Sequence, residues 1–311
     1  MKQIKDIRVI VAGSNNFDIV VNADRTPKEG ENLLASNLKF FPGGKGANQA
    51  VAVARLGAKV TLISAVGRDF IGDFLLRNLE TAGIDTRWIR RDPNRSTGCA
   101  FIAIYPSGNN SIVVDPGANF TLEPADVEKT KDSIATADAI LTVLEIPPET
   151  VEATLRAGRD AGKLTVLDAG PARRCSLEIL KLADIVSPNE SELEALSGER
   201  VDGRESIRKA AEKLLELGAR TVVVKMGRDG AMLVNAEGAK HFPAHKITAV
   251  DPTAAGDAFS AALTVKLAAG VGMDDAIRYA NAAGALAVTK LGALPSLPTW
   301  DEVDVFLAKG N

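Results

Sequence analysis

Cysteine and histidine are scarce in this 311-residue chain, which contains two of each. Cys99 and Cys175 are too few and too far apart in the sequence to suggest a disulfide framework or a zinc site. With only His241 and His245 available, histidine-ligated metals and Ser-His-Asp catalysis are also disfavoured. Other polar side chains are therefore the better candidates for chemistry.

Long hydrophobic runs and clusters of one charge are also missing. The apolar stretch at residues 7–12 is too short to span a membrane, and no cleavage-site pattern follows it. The net charge is −3 and no Lys/Arg tract stands out, which argues against a nucleic-acid partner. Hydrophobic residues make up 46% and charged residues 25%, as is typical of a soluble enzyme. The sequence predicts a cytoplasmic protein with neither a nucleic-acid nor a membrane partner.

Short β-branched runs alternate with longer helical runs along most of the chain. We expect strands at residues 7–12, 60–65, 139–143, 164–168, 185–187 and 221–225. We expect helices between them at residues 47–56, 70–82, 148–161 and 207–217. Such alternation is typical of βαβ units and predicts one α/β domain over residues 1–311, with a mostly parallel sheet covered on both faces.

Two segments interrupt this alternation, at about residues 17–41 and 85–114. They contain β-rich stretches without long helices, and Ser107-Gly-Asn-Asn has the composition of a hairpin turn. We expect these segments to form one small inserted sheet. A small sheet over a crevice could act as a lid that excludes water from a reaction. The alternative is a simple decoration of the sheet edge.

Small residues stand directly before a carboxylate and an Ala-rich helical run at residues 251–259. Ala254, Ala255 and Gly256 add little bulk, so an anion could approach their main chain closely. The first N–H groups of the following helix lack internal partners and attract phosphate. Asp257 in that first turn is a candidate base for an attacking hydroxyl. The alternative is that Asp257 only complements the helix dipole.

A glycine-rich loop, Pro42-Gly-Gly-Lys-Gly-Ala-Asn48, leads into the helix expected at residues 47–56. Its glycines let the backbone reach a ligand closely, and Lys45 and Asn48 offer hydrogen-bond donors. The spacing is neither that of a Walker A loop nor that of a Rossmann dinucleotide fingerprint. The loop is interpreted as a substrate contact, with an ordinary turn before a packing helix as the alternative.

Together the two motifs resemble those of the ribokinase family of carbohydrate kinases, and they lie near opposite ends of the chain. The resemblance implies an αβα sandwich with a small β lid, and a homodimer formed through that lid. It implies ATP-dependent phosphorylation of D-ribose at the 5-hydroxyl, giving ribose 5-phosphate and ADP, with Mg²⁺ and K⁺ as cofactors. The alternatives are another sugar or nucleoside kinase of the family, such as a 2-keto-3-deoxygluconate kinase or fructokinase, or a non-catalytic sugar-binding regulator.

The resemblance also implies which residues hold each ligand. Asp257 would be the catalytic base beside an anion hole formed by the main chain of Ala254, Ala255 and Gly256. The sugar would contact Asn16, Asp18, Gly44, Lys45, Asn48, Glu145 and Asp257. ATP would contact Asn189, Lys225, Gly227, Gly230 and Asn281. A potassium ion would be held, partly by main-chain carbonyls, at Asp251, Thr253, Ala287, Lys290, Gly292 and Ser296.

Some of these positions allow a second interpretation or depart from the family pattern. Glu192 would orient the outer shell of Mg²⁺, but Asn189 and Glu192 also fit a helix N-cap and its capping partner, and the two roles are compatible. Pro252 stands in the cation loop where Thr is more usual, which fixes φ and removes one N–H. Phe17 is bulky for a position between two sugar contacts and could reshape the sugar pocket.

Overall fold

The computed structural model describes residues 2–309 as alternating strands and helices. The strands are β1 (Arg8–Ala12), β2 (Asn16–Asn22), β3 (Ser36–Gly43), β4 (Lys59–Gly67), β5 (Ile89–Asp92), β6 (Gly98–Ile104), β7 (Asn110–Asp115), β8 (Ala139–Val143), β9 (Leu164–Asp168), β10 (Ile185–Ser187), β11 (Thr221–Lys225), β12 (Ala231–Asn235) and β13 (Gly238–Phe242). The helices are α1 (Lys45–Arg55), α2 (Phe70–Thr81), α3 (Pro124–Glu128), α4 (Lys131–Thr136), α5 (Pro148–Asp160), α6 (Leu177–Leu182), α7 (Glu190–Ser197), α8 (Arg204–Glu216), α9 (Ala255–Ala268), α10 (Met273–Ala287), α11 (Ala293–Ser296) and α12 (Trp300–Ala308). Short 3-10 helices occupy Ile4–Asp6, Gly117–Thr121 and Gly227–Asp229.

The larger sheet is mostly parallel. Within residues 2–309 it contains nine strands in the order β13-β12-β11-β10-β9-β8-β1-β4-β5. Neighbouring strands from β11 to β5 run parallel, whereas β12 and β13 add antiparallel pairs at one edge. The prediction of a mostly parallel sheet is confirmed. The antiparallel edge was not anticipated from the sequence.

Helices cover both faces of this sheet because its central strands are apolar on both sides. Along β1, Val9 and Val11 face a core that includes residues of α1, α9 and α10. Ile10 and Ala12 face a second core, with residues of α5, α6 and α8. Successive side chains of a strand point to opposite faces, so a wholly apolar strand needs a helix layer on each side. The αβα sandwich is therefore confirmed.

The smaller sheet is built from two separate parts of the chain. Among the described residues it has four strands in the order β3-β2-β6-β7, with β2 antiparallel to β3 and parallel to β6. The lid boundary expected at residues 85–114 is wrong at its start, because Ile89–Asp92 pairs parallel with β4 in the larger sheet. The physical reason is that β4, α2 and β5 complete a βαβ unit before the chain enters the smaller sheet at Gly98.

The carboxyl ends of the parallel strands meet the start of the smaller sheet. Helix α1 begins beside the end of β1, and a Cβ added to Gly13 would lie only 2.7 Å from Gly46 Cα. Both positions therefore need glycine for the helix to approach the strand. Helix α9 packs against α1 within the same core. The carboxyl edge of an open α/β sheet is where ligands usually bind, so the site is expected there. Within residues 2–309, no helix has the length and apolarity needed to cross a membrane.

Candidate active site

Asp257 and the glycine-rich loop are in direct contact, although about 210 residues separate them. Asp257 is 4% exposed in the first turn of α9. Its Oδ2 accepts a hydrogen bond from Asn48 Nδ2 at 3.0 Å, and its Oδ1 accepts one from Gln49 Nε2 at 3.0 Å. Lys45 Nζ lies 3.9 Å from Asp257 Oδ1. The two motifs therefore build one site.

The environment of Asp257 favours a proton acceptor. Burial raises the pKa of Asp257 to about 6, with Lys45 lowering it and the neighbouring carboxylate of Asp168 raising it. A carboxylate with a pKa near 6 is still ionised at neutral pH, yet it holds a transferred proton better than an ordinary aspartate does. The alternative role, a mere complement to the helix dipole, does not explain this contact with Lys45 and Asn48.

The expected anion hole surrounds the start of α9. Ala254 has φ +61°, a left-handed conformation that is rare for a residue with a Cβ. The main-chain N–H of Ala255 already donates to Pro252 O at 3.2 Å. A Cβ added to Gly256 would lie 3.8 Å from Lys225 Nζ, so this ammonium group is close to the helix N-terminus.

Asp168 was not singled out from the sequence, yet it lies fully buried at the centre of the charged cluster. Its Oδ2 accepts hydrogen bonds from Lys225 Nζ at 2.8 Å and from Ser260 Oγ at 2.5 Å. Its Oδ1 lies 4.0 Å from Lys45 Nζ. Burial raises the pKa of Asp168, but the two ammonium groups outweigh it and bring the value to about 2. Its place at the carboxyl end of a parallel strand was the signal available in the sequence.

The two lysines belong to one electrostatic system. Burial lowers the pKa of Lys45, but the surrounding carboxylates, led by Asp257 and Asp168, outweigh this effect and raise it above its usual value. Gly170 provides the space for this side chain, because an added Cβ would lie 2.4 Å from Lys45 Cε. Lys225 Nζ lies 3.8 Å from Glu192 Oε2. Both cations remain available to stabilise a charge that develops near α9.

Carboxyl groups line the other side of Lys45. Glu145 Oε2 accepts hydrogen bonds from Ser14 Oγ and, at 3.1 Å, from the main-chain N–H of Lys45. Burial, together with the negative charges of Glu145 and Asp257, raises the pKa of Asp18 to about 7. Because the charges of Glu145 and Asp257 both act on Asp18, the three carboxyl groups lie around the same space. Three acidic groups of this kind offer acceptors for the hydroxyl groups of a polyol.

The amide side chains and glycines of the expected sugar contact lie beside these acids. Asn16 is 4% exposed, and its Oδ1 accepts a hydrogen bond from Asn119 Nδ2 at 2.7 Å. Within the described part of the chain, the buried Asn48 Oδ1 has no hydrogen-bond partner, which suits contact with a ligand. Gly44 has φ +90° directly before α1, and a Cβ there would lie 2.6 Å from Asn16 N. Only glycine fits at this position.

Phe17 does not face the sugar contacts. It lies between Asn16 and Asp18 on β2, so its side chain points to the opposite face of the strand. Its ring centroid lies 5.5 Å from that of Phe40 and 5.7 Å from that of Phe74. The expectation that Phe17 could reshape the sugar pocket is therefore wrong, because successive side chains of a strand face opposite sides of the sheet.

Asn189 and Glu192 form the helix cap that was one of their two interpretations. Asn189 Oδ1 accepts from Glu192 N at 2.8 Å, and Glu192 Oε2 accepts from Asn189 N at 2.8 Å. Within residues 2–309, no group of three or more His, Cys, Asp or Glu side chains could hold a metal ion.

A cleft of about 560 Å³ opens beside α10, and Asn281 lines it. Asn281 Nδ2 donates to Phe242 O at 3.4 Å. Gly230 reaches the same segment, because a Cβ added there would lie 2.1 Å from Phe242 O. Gly227 begins the 3-10 helix that joins β11 to β12. Gly230 and Asn281 therefore both lie beside Phe242. Lys225, at the end of β11, comes shortly before Gly230 in the chain.

The expected cation site ties the loop before α9 to the loop after α10. Asp251 Oδ1 accepts from Thr253 N at 2.9 Å, and its Oδ2 accepts from Gly292 N at 2.8 Å. Of the other expected ligands, Lys290 donates from Nζ to Glu302 Oε1 at 2.7 Å, and an ammonium group cannot ligate a cation, so only its main-chain oxygen could bind an ion. Ser296 Oγ donates to Ala293 O, and Ala287 is buried at the end of α10.

A buried carboxylate, two ammonium groups and a helix N-terminus lie together at the carboxyl edge of a parallel sheet, an arrangement that suits an α/β phosphotransferase. The profile of "pfkB family carbohydrate kinase" matches residues 6–300. The ribokinase of Haemophilus influenzae is 40% identical over 297 residues, covering 96% of this chain and 97% of the relative. The deoxyribokinase of Salmonella typhi is 35% identical over 301 residues, covering 96% and 98%.

A solved structure is similar over the same extent. The structure of Arabidopsis thaliana ribokinase complexed with ribose and ATP has a TM-score of 0.88 and 33% identity, covering 97% of this chain and 98% of that one. The chain belongs to the pfkB family of carbohydrate kinases.

Proposed function

We propose that this protein phosphorylates D-ribose at the 5-hydroxyl with ATP, giving ribose 5-phosphate and ADP. The observation that carries the proposal is the contact of the buried Asp257, at the start of α9, with Lys45 and Asn48 of the glycine-rich loop. The similarity to a ribokinase over nearly the whole length of both chains supports the choice of ribose.

The sugar lies among acceptors and donors that suit a polyol. Asp18, Glu145 and Asn48 Oδ1 accept hydrogen bonds from its hydroxyl groups, Lys45 and the amino group of Asn16 donate to its oxygens, and the main chain of Gly44 closes the pocket. A site that hydrogen-bonds a hydroxyl can reject an analogue without it by about 10⁴-fold or more. Selectivity for ribose therefore arises from these side chains rather than from shape alone.

Transfer proceeds in line from ATP to the 5-hydroxyl. Asp257 accepts the hydroxyl proton as a general base. Such general-base catalysis typically raises the rate roughly 10²–10⁴-fold. The main-chain N–H groups of Ala254, Ala255 and Gly256 stabilise the migrating phosphoryl group together with Lys45. The N–H of Ala255 must first break its hydrogen bond to Pro252 O before it can bind the phosphoryl group. No covalent enzyme intermediate forms, because the sugar oxygen bonds to the transferred phosphorus as the bond from that phosphorus to ADP breaks.

ATP occupies the opposite side of the site. Lys225 and Asn189 lie towards its phosphates, whereas Gly227, Gly230 and Asn281 lie along the cleft beside α10 for the nucleoside. Mg²⁺ bound with ATP would neutralise phosphate charge, and Glu192 would orient its waters. The capping bonds of Glu192 fix its carboxylate for this role.

A potassium ion is also proposed between the loops joined by Asp251. The oxygens of Asp251 and Thr253, with main-chain carbonyls at Ala287, Lys290, Gly292 and Ser296, offer the oxygen-only ligation that K⁺ requires. An ion there would brace the start of α9. Assays in K⁺ and in tetramethylammonium at equal ionic strength test this. Equal kcat in both salts would contradict the proposal.

A substrate panel tests the reaction itself. ADP release is measured with ribose, 2-deoxyribose, fructose and adenosine, each at several concentrations, and ribose should have the highest kcat/KM. The similarity to a deoxyribokinase makes 2-deoxyribose the strongest competitor. Equal or better turnover of a sugar other than ribose would defeat the choice of ribose, and no turnover of any sugar would support a non-catalytic regulator.

A further inference from the structure

Asn119 lies in the 3-10 helix Gly117–Thr121, outside both motifs, and is only 1% exposed. Its Oδ1 accepts a hydrogen bond from the main-chain N–H of Asn15 at 2.9 Å. Its Nδ2 donates to Asn16 Oδ1 at 2.7 Å and to Asn15 O at 3.4 Å. One buried amide therefore holds the loop that connects β1 to β2, at the first expected sugar contact.

These bonds leave a single arrangement for both amides. A main-chain N–H can only donate, so the Asn119 oxygen must face Asn15 and its amino group must face Asn16. Asn16 must then turn its own oxygen towards Asn119. The amino group of Asn16 is left on the other side of that amide. Asn16 and Asp18 share a face of β2, so this amino group belongs to the sugar pocket.

The backbone of β6 encloses this pair of amides. A Cβ added to Gly98 would lie 2.3 Å from Asn119 Nδ2 and 2.5 Å from Asn16 Oδ1. The two side chains therefore cannot separate to relieve an unfavourable contact without moving the strand. If the group of residue 119 that faces Asn16 changes from a donor to an acceptor, the side-chain amide of Asn16 must therefore flip so that its amino group faces residue 119.

The sense of Asn16 matters because the pocket is rich in acceptors. The carboxyl groups of Asp18, Glu145 and Asp257 surround it, and Asn48 Oδ1 adds a buried acceptor without a partner in the described residues. Each sugar hydroxyl has one proton and two lone pairs. A hydroxyl that gives its proton to a carboxylate can accept a bond but cannot donate a second one. A donor beside these acids is therefore worth more than another oxygen.

We propose that Asn119 is a positioning residue for sugar binding: it fixes the side-chain amide of Asn16 so that the amino group faces the sugar. The proposal rests on the proposed function only in that Asn16 contacts the sugar. Asn119 itself does not touch the substrate, and it acts by setting which atom of Asn16 the substrate meets.

The Asn119→Asp variant tests the orientation directly. It keeps an oxygen for the N–H of Asn15 but replaces the amino group that faces Asn16 Oδ1 with a second oxygen. Asn16 must reverse and present its oxygen to the pocket, where an acceptor meets acceptors. We expect the KM for the sugar to rise about 10–100-fold, while the KM for ATP and kcat at saturating sugar stay within about threefold.

Two further variants separate orientation from general loss of structure. Asn119→Leu has a similar shape and removes all three side-chain hydrogen bonds, so the Asn16 amide can take either orientation. The KM for the sugar should then rise by only a fewfold, less than in Asn119→Asp. Thr121→Val removes the bond from Thr121 Oγ1 to Ala118 O in the same 3-10 helix without touching Asn16, and it should leave the KM for the sugar unchanged.

These measurements distinguish a positioning role of Asn119 from a general loss of structure. An unchanged sugar KM in Asn119→Asp, an equal rise in the KM for ATP, or a larger effect in Asn119→Leu would overturn the role of Asn119. If Asn119→Asp does not fold, a sugar KM of Asn119→Leu equal to that of the unmodified protein overturns it. The unmodified protein is assayed first, and the variants are tested on the sugar it turns over best. A wrong choice of sugar is therefore distinguished from a wrong role for Asn119.

Discussion

At the scale of single residues, Asp257 combines burial, a raised pKa and contact with a lysine from a distant part of the chain. Burial of a carboxylate is costly unless hydrogen bonds and cations compensate, and Asn48, Gln49 and Lys45 provide that compensation. A protein that used Asp257 only to cap a helix would have no reason to bury it among these partners. Strongly perturbed groups of this kind mark functional sites.

Replacing Asp257 with asparagine should separate binding from chemistry. The Asp257→Asn variant keeps the size of the side chain but cannot accept the proton, so kcat should fall about 10²–10⁴-fold. Affinities for ribose and ATP, measured by calorimetry, should change far less. Unaltered turnover in ADP-release assays would remove Asp257 from the mechanism.

Asp168 sets the charge state of its neighbours, and this predicts a pH effect. Its negative charge helps to raise the pKa of Asp257. In Asp168→Asn that contribution is lost, so the pKa of Asp257 should fall and the acidic limb of the kcat/KM profile should move to lower pH. Turnover at neutral pH should drop as well, because Lys45 and Lys225 lose a shared partner.

Asp184→Asn is the matched control for this variant. Asp184 also forms an ion pair with a cation, Arg220, but this pair is partly exposed to solvent and does not contact Asp257. Its pH profile should coincide with that of the unmodified protein. The role assigned to Asp168 is wrong if both variants shift the profile equally, or if neither does.

At the scale of elements, two helices carry the same cap in different places. Asn189 and Glu192 form a capping box at the start of α7, and Thr299 and Glu302 form one at the start of α12. Only the first lies beside the charged cluster, since Glu192 is 3.8 Å from Lys225. The same local chemistry thus lies beside an expected nucleotide site in one case and not in the other.

This pair offers a matched test of the nucleotide side. Asn189→Ala and Thr299→Ala should each cost about 1 kcal/mol of unfolding free energy, since each removes one N-cap. Only Asn189→Ala should also raise the KM for ATP, because it removes a side chain that lies towards the ATP phosphates, whereas the bond from Asn189 N–H to Glu192 Oε2 is kept. Chemical denaturation and initial-rate kinetics measure the two effects. A similar KM for ATP in both variants would leave Asn189 with a structural role alone.

At the scale of the whole molecule, the smaller sheet exposes apolar side chains on both faces. Phe101 and Val113 are 50% and 68% exposed on one face, and Ile112 and Val114 are 52% and 46% exposed on the other. Soluble monomers rarely leave large apolar patches uncovered, and each face of this sheet carries one. We propose that a second copy of the chain covers this sheet.

A double change, Ile112→Lys with Val113→Lys, should therefore convert a dimer into a monomer. Light scattering after size-exclusion chromatography gives the mass, and a lysine buried in the interface without a partner is costly enough to prevent association. Val305→Lys, which alters a similarly exposed valine on α12, should remain dimeric. A monomeric mass for the unmodified protein at micromolar concentration would refute this assembly.

The alternation of apolar runs was sufficient to predict the layers, because period and burial are local properties of the chain. Residues 139–143, 164–168, 185–187 and 221–225 form strands with the bounds expected from sequence. The two glycine-containing motifs were also recognisable, since their function depends on residues adjacent in sequence. Fold class therefore followed from local pattern, whereas the chemical class came from the resemblance of the two motifs to a known family, and the family comparison agrees with both.

Only the tertiary structure decided which side chains meet. Asp168 ends one strand and Lys225 another, and their 2.8 Å contact depends on strand order, which no local pattern encodes. The bonds of Asn119 to the β1–β2 loop likewise join positions more than a hundred residues apart. The amino acids determined what chemistry was available, and long-range packing determined the orientation of each group, because hydrogen bonds and charges act over a few ångströms whatever their distance in sequence.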